Sequence, residues 1–319
     1  MKKFIILSLF TAIVLLAAGF STPAHAQTPA NDLKPTFISP TPGLYVNGWP
    51  AFTVSYPKEW VEAPLAPGDV FAAGVAHPEV APGACAPLLR IEVIPSVLPL
   101  EDWAKISMPF LVQAFTDIKV LSDKPSQLKD GTPAREVEWE GVLKYDQTLG
   151  SIKNGPRFSS FELKTRKDVA WVQLAMVDIE KIGEDLKKYA YSLTFQPDRE
   201  KPVSVPPDVR AFFDMNCADI VNGDVKTLMA YFSDRFRHSG LNKVFYEQIL
   251  RNDPASPTQM GVISCKATVT VFEPRGDKAY VDGFFLEKAK GDANALKVPM
   301  VFQQIINEHG EWKWFGNQK

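Results

Sequence analysis

Gly261-Val262-Ile263-Ser264-Cys265-Lys266-Ala267-Thr268-Val269-Thr270-Val271 switches the chain from a helical period to a period of two, and this switch decides the fold. Ile263, Cys265, Ala267, Val269 and Val271 face one way, while Ser264, Lys266, Thr268 and Thr270 face the other, as in a half-buried strand. Before the switch the pattern is helical. Pro206-Pro207-Asp208 opens a helix that Gly223 stops, with Val209, Phe213, Cys217 and Ile220 on one inward stripe. Asp224 caps a second helix carrying Leu228, Met229 and Phe232, and Leu241 to Arg251 makes a third. After the switch, Gly276-Asp277 turns the chain into Ala279 to Glu287, then Leu296 to Asn307, then Glu311 to Phe315. Helices followed by a long-stranded meander predict a curved sheet wrapped over a helical layer across 207–319.

Upstream, Gln196 to Pro207 packs Pro197, Pro202, Pro206 and Pro207 among charges, which places a linker at 197–206. The stretch 49–196 then reads as a domain of its own. Ala51 to Tyr56, Val70 to Ala76, Leu88 to Ile94 and Ile118 to Ser122 are strand candidates, and Lys129-Asp130-Gly131-Thr132 turns into another over Ala134 to Val142. Phe158 to Thr165 and Ala170 to Val177 pair around Arg166-Lys167-Asp168. One helix opens at Pro99 and kinks or ends at Pro109, and a closing helix spans Ile179 to Tyr191. The fold class expected is α+β in two domains.

The 319 residues begin with an address. Lys2-Lys3 precedes an uncharged, largely apolar run to Phe20, and Ala24-His25-Ala26 follows the helix breaker Pro23, so cleavage after Ala26 and export to the periplasm or beyond are expected. The alternative is an uncleaved anchor. Residues 27–48 carry Pro29, Pro35, Pro40 and Pro42 without periodicity and read as a tether. No later run is long and apolar enough for a membrane span. Cleavage moves the net charge from −2 to −4, and the basic and acidic residues of 207–319 balance, so nothing advertises a nucleic-acid partner.

Two resemblances follow from these residues. Phe52 to Trp60 resembles the opening strand of PsbP-like domains, including the DcrB type; Asp130 to Ala134 resembles their mid-sheet turn and Tyr189 to Phe195 their final helix and exit. This covers about 46–197 and implies an antiparallel sheet flanked by helices that docks on partners. Asn222-Gly223-Asp224 through Phe236, with Trp312-Lys313-Trp314-Phe315, resembles the cone-shaped fold of nuclear transport factor two and the SnoaL-like proteins over about 207–317. That fold hosts isomerases, hydrolases and non-catalytic members, so it fixes no function. Its enzymes place a carboxylate base and an oxyanion donor in the cone.

The nearest analogues are Asp282 as base, with Tyr231, Tyr246 and Tyr280 as donors and Phe284 beside Asp282 as pocket wall. Asp282 reads first as a solvated carboxylate on an exposed sheet face, because charged side chains are seldom buried unpaired; the alternative is a buried base with a raised pKa. His238 reads as a surface-loop histidine, His309 as part of a hairpin turn, and His77 stands alone in a proline-flanked loop. Cys217 and Cys265 both point inward; they form either a disulfide or two buried thiols too far apart to bridge. Cys85 is the odd cysteine. GxGxxG after a strand, GxxxxGK[ST], HExxH, CxxC and GxSxG are all missing, and no cofactor or metal is implied. The expected function is docking on an unknown protein, or holding a small apolar ligand or a second protomer (a homodimer through the C-terminal domain). The competing reading is an isomerase- or hydrolase-like enzyme in the cone.

Overall fold

The structure is a computed structural model that describes residues 42–62, 72–76, 88–95, 99–144, 157–167, 170–178, 182–238, 240–253 and 256–318. The expected signal segment, His77 and Cys85 lie outside the described residues. The chain is α+β, with antiparallel sheets.

The described part of the expected tether is not extended linker. Leu44–Asn47 forms β1, antiparallel to β2 (Phe52–Ser55), with Tyr45 and Asn47 turned into the protein. The main N-terminal sheet contains β3 (Val61–Glu62), β4 (Ala72–Ala76) and β5 (Leu88–Pro95). Helix α1 (Trp103–Ala114) follows a 3-10 turn and runs on through Pro109, where the sequence predicts a kink or end. Then come β6 (Phe115–Gln127), β7 (Pro133–Leu143), β8 (Arg157–Lys167) and β9 (Ala170–Asp178), and the strand order is β3-β4-β5-β9-β8-β7-β6. The β6–β7 turn is built as expected, with Gly131 at φ +83° and Asp130 accepting from the Thr132 N–H at 2.9 Å. Helix α2 (Glu184–Ala190) is shorter than its predicted span, and β10 (Thr194–Phe195) pairs with β2.

Strand alternation gives this sheet two buried faces. Leu89, Ile91, Val93, Val172, Leu174, Phe161 and Leu163 pack with Phe52, Val54 and Ala190 on one side. On the other, Ile94, Val137, Trp139, Phe158 and Trp171 pack with Trp103 and Leu111 of α1.

Helix α3 (Pro207–Asn222) ends on Gly223 at φ +67°, and α4 (Val225–Ala230) starts on an Asp224 cap, both as the sequence predicts. Strands β11 (Arg237–His238) and β12 (Leu241–Asn242) pair with each other, and Asn242 caps α5 (Lys243–Asn252). Strands β13 (Val262–Arg275) and β14 (Lys278–Ala289) form the long hairpin. Leu296 to Asn307 is not one strand: β15 (Leu296–Pro299) and β16 (Gln304–Glu308) are separated by a break in which Gln303 has φ +47°. A His309-Gly310 turn then leads to β17 (Glu311–Trp314).

The inward residues of β13 are not quite those of strict alternation. Register shifts at Val262/Ser264 and Val269/Val271 leave Ala267 and Val269 inside but put Val262 in the core and Ile263 54% exposed. Inside the curl, Phe212, Phe213, Phe232, Phe236, Phe302 and Trp314 pack ring against ring at 5.0–5.7 Å. The one polar group on the α3 stripe is satisfied there, Asn216 Oδ1 accepting from Trp314 Nε1 at 2.9 Å. Cys217 and Cys265 are bonded, with 5.1 Å between their Cα atoms, so the helix and the strand are joined covalently.

Candidate functional site

Along β14 the residues alternate between the interior of the curl and its outer face. Ala279, Val281, Phe285 and Glu287 lie inward, and Tyr280, Asp282 and Phe284 share the outer face. That outer face is not solvated. The chain around Gly48 and Trp49 lies on it, so that Asp282 is 2% exposed and the Trp49 and Phe284 ring centroids are 5.0 Å apart. The expectation of a solvated Asp282 is therefore corrected, because a segment from the far end of the chain covers the strand.

Asp282 is held by donors on several sides. Its Oδ1 accepts from the Gly283 N–H at 2.7 Å, and its Oδ2 accepts from Tyr280 Oη at 3.1 Å and Gln303 Nε2 at 3.4 Å. The Gly48 backbone N–H also donates to the carboxyl. Both flanking glycines are required by close approach. A Cβ on Gly48 would sit 2.0 Å from Asp282 Oδ2, and one on Gly283 would sit 2.0 Å from the Thr268 carbonyl oxygen, with Gly283 at φ +150° besides. Burial pushes the Asp282 carboxyl up to about 7, against the pull of those donors. Burial, then the neighbouring carboxylate, also raises the Tyr280 and Tyr45 hydroxyls.

The other candidates fall elsewhere. Tyr246 lies inside the curl, its ring 4.8 Å from Phe302 and 5.2 Å from Phe232. Burial and then the charge of Glu287 raise its hydroxyl. Glu287 is 5% exposed, stands opposite Cys265 in the strand register, and has no hydrogen-bond or ion-pair partner among the described residues; burial alone lifts it to about 7. Tyr231 hydrogen-bonds Asp219 at the end of α4, away from both. The five proposed site residues thus separate into an outer group (Asp282, Tyr280, Phe284), an inner one (Tyr246) and Tyr231. The His238 reading is also corrected: the ring is 1% exposed, and its Nδ1 accepts from the Asn317 N–H at 3.3 Å.

Sequence reasoning missed Tyr45, Gly48, Trp49, Gln303 and Glu287. Only Glu287 left a signal, since counting inward from Val281 along β14 reaches it. It also missed a buried ionic strip under α1. There Arg90 donates to Glu92 at 2.6 Å, Gln173 bridges Glu92 and Lys164, and Lys164 pairs with Glu162 at 2.5 Å, which in turn accepts from Trp139 Nε1 at 2.7 Å. Two positive and two negative side chains leave the strip neutral, which suits a structural element that keeps charges paired in a core. Among the described residues no three His, Cys, Asp or Glu side chains gather as a metal would require. No helix there is long and apolar enough to cross a membrane.

Solved structures show some likeness. Cyanobacterial PsbP (CyanoP) of Synechocystis is similar over 53% of this chain and 100% of its own, at 14% identity and a TM-score of 0.29. A Bacteroides thetaiotaomicron protein is similar over 86% of this chain and 89% of its own, at 11% identity and a TM-score of 0.33. A Pseudomonas aeruginosa protein of unknown function, named as a candidate regulator, is similar over 40% and 76%, at 10% identity and a TM-score of 0.25. At these TM-scores the likenesses carry no argument, and the fold stands on its own strands and helices. No family model matches the chain. No curated protein matches it.

Proposed function

We propose that this is an exported, two-domain, non-catalytic binding protein, with a PsbP-like half at 49–196 that docks on a protein partner and a SnoaL-like half at 207–319. One observation carries the reading: the strongest acid–base candidate, Asp282, spends its oxygens on protein donors and is sealed by Gly48. A general base needs a lone pair within reach of a substrate proton. The aromatic rings that fill the curl support the same reading, as does the separation of the hydrophobic cores, none of which mixes residues from before and after the linker. The Cys217–Cys265 bond fits an oxidising compartment.

The test uses the chain exported from its own signal. Native mass spectrometry is expected to show a start at Gln27 and the loss of two hydrogens to the disulfide, and its charge states report whether the C-terminal half forms a homodimer. Panels for ketone isomerisation and ester hydrolysis are expected to show no turnover that Asp282→Asn abolishes; such turnover overturns the reading.

A second reading, an isomerase- or hydrolase-like enzyme, now rests on Glu287. It is a buried carboxyl without a hydrogen-bond or ion-pair partner among the described residues, on the inner face beside Tyr246. Turnover lost in Glu287→Gln and kept in Asp282→Asn would select it.

A further inference from the structure

We propose that the contact of Gly48 with Asp282 is a proton-operated clasp, in which neutral Asp282 keeps the segment 42–50 seated on the C-terminal sheet and ionised Asp282 favours its release.

The geometry is that of two parts of the chain meeting on a single carboxyl. Gly48 approaches so closely that any side chain there would overlap Asp282, and the Trp49 ring packs beside it against Phe284, tilted by 44°. The ammonium of Lys297, on β15, lies 5.9 Å from the Trp49 ring and 5.1 Å from the Phe284 ring. Three of the donors to Asp282 (Tyr280, Gly283 and Gln303) belong to the C-terminal part and stay with it whether the segment is seated or not. What seating adds is the Gly48 N–H and the loss of water, and the second outweighs the first.

The groups that face Asp282 make the proton the natural means of closure. From β1 comes the Tyr45 phenol, from β14 the Tyr280 phenol, and from the β15–β16 break the Gln303 amide; Glu273 of β13 acts on Tyr280. None of these is a cation. The Lys297 ammonium sits over the rings of Trp49 and Phe284. Closure over an ionised carboxyl is therefore costly, and protonation relieves the cost. The junction is also incompletely satisfied, since Trp49 Nε1 and Gln303 Oε1 are buried without a hydrogen-bond partner among the described residues. A permanently sealed interface normally pairs such groups.

The sign follows from linkage. With the segment away, Asp282 returns toward an ordinary carboxyl, near 3.8; with it seated, the value is about 7. Between those values closure takes up a proton, so the closed-to-open ratio falls up to about tenfold per pH unit as pH rises and levels off above about 7.

Hydrogen exchange of residues 42–50, in the mature disulfide-bonded chain and corrected for the intrinsic pH dependence of exchange, tests this. Protection is expected to be tens of times higher at pH 5 than at pH 7.5. It should become independent of pH in Asp282→Asn and remain pH-dependent in Glu287→Gln. Equal protection at both pH values in the wild type, or a pH dependence that survives Asp282→Asn, overturns the proposal. Should Asp282→Asn fail to fold, carbon-13 titration of the Asp282 carboxyl decides. The midpoint is expected to fall by at least one pH unit in Gly48→Ala, and an unchanged midpoint overturns the clasp.

Discussion

Asp282 shows how a single carboxyl can take its character from distant chain. Its folded-state value of about 7 lies above the unfolded value of 3.8, so the stability tied to its proton is fully present below about pH 4 and lost as pH rises to about 7. Glu287 shifts in the same direction. The lowered carboxyls Asp123 and Glu136, near Arg135 and Lys124, run the opposite way and lose their contribution only on acidification. The double variant Asp282→Asn/Glu287→Gln is therefore expected to lose less stability than wild type between pH 4 and 7, as measured by urea unfolding. Equal slopes would contradict the assignment. At the next residue, Gly283→Ala forces a Cβ onto the Thr268 carbonyl at a left-handed φ, and a loss of about 3 kcal/mol or more is expected.

At the scale of elements, β13 and β14 were legible in outline but not in register. The Gly276-Asp277 turn and the period of two were there to read, and Tyr280, Asp282 and Phe284 do share a face. The register shifts were not legible, because inserting one residue changes which side chains point inward without changing composition. Sequence also left the cysteines undecided between bond and buried thiols, since only the seating of α3 on β13 brings their Cα atoms to 5.1 Å. Replacing both by Ala is expected to cost about 3–4 kcal/mol by the chain-entropy argument, read from the urea midpoint. The ionic strip under α1 carries a contrasting pair of predictions. Lys164→Ala leaves the buried Glu162 carboxylate without its counter-charge and Gln173 Oε1 without its donor, and should cost about 3–5 kcal/mol. Lys187→Ala removes a pair with Glu138 near the surface and should cost about 1 kcal/mol or less.

For the whole molecule, the order of the longer strands and helices could be read from local patterning, and the short strands and the covering of one part by another could not. Residues 44–48 read as the end of a tether because Pro40 and Pro42 precede them and no periodicity marks them; a four-residue strand such as Leu44–Asn47 is too short to announce itself. Their effect is nonetheless large. They bury Asp282, and they turn the presumed outer surface of the C-terminal sheet into a junction. That junction decides what Asp282 can do, because a carboxyl engaged there is withdrawn from catalysis. A double-mutant cycle over Gly48→Ala and Asp282→Ala, by urea unfolding at pH 5, tests it most directly. A coupling on the order of 1–3 kcal/mol is predicted, since the clash that makes Gly48→Ala harmful disappears with the carboxyl. Additive losses, with coupling near zero, would show that the two residues do not meet and would return Asp282 to the list of free catalytic groups.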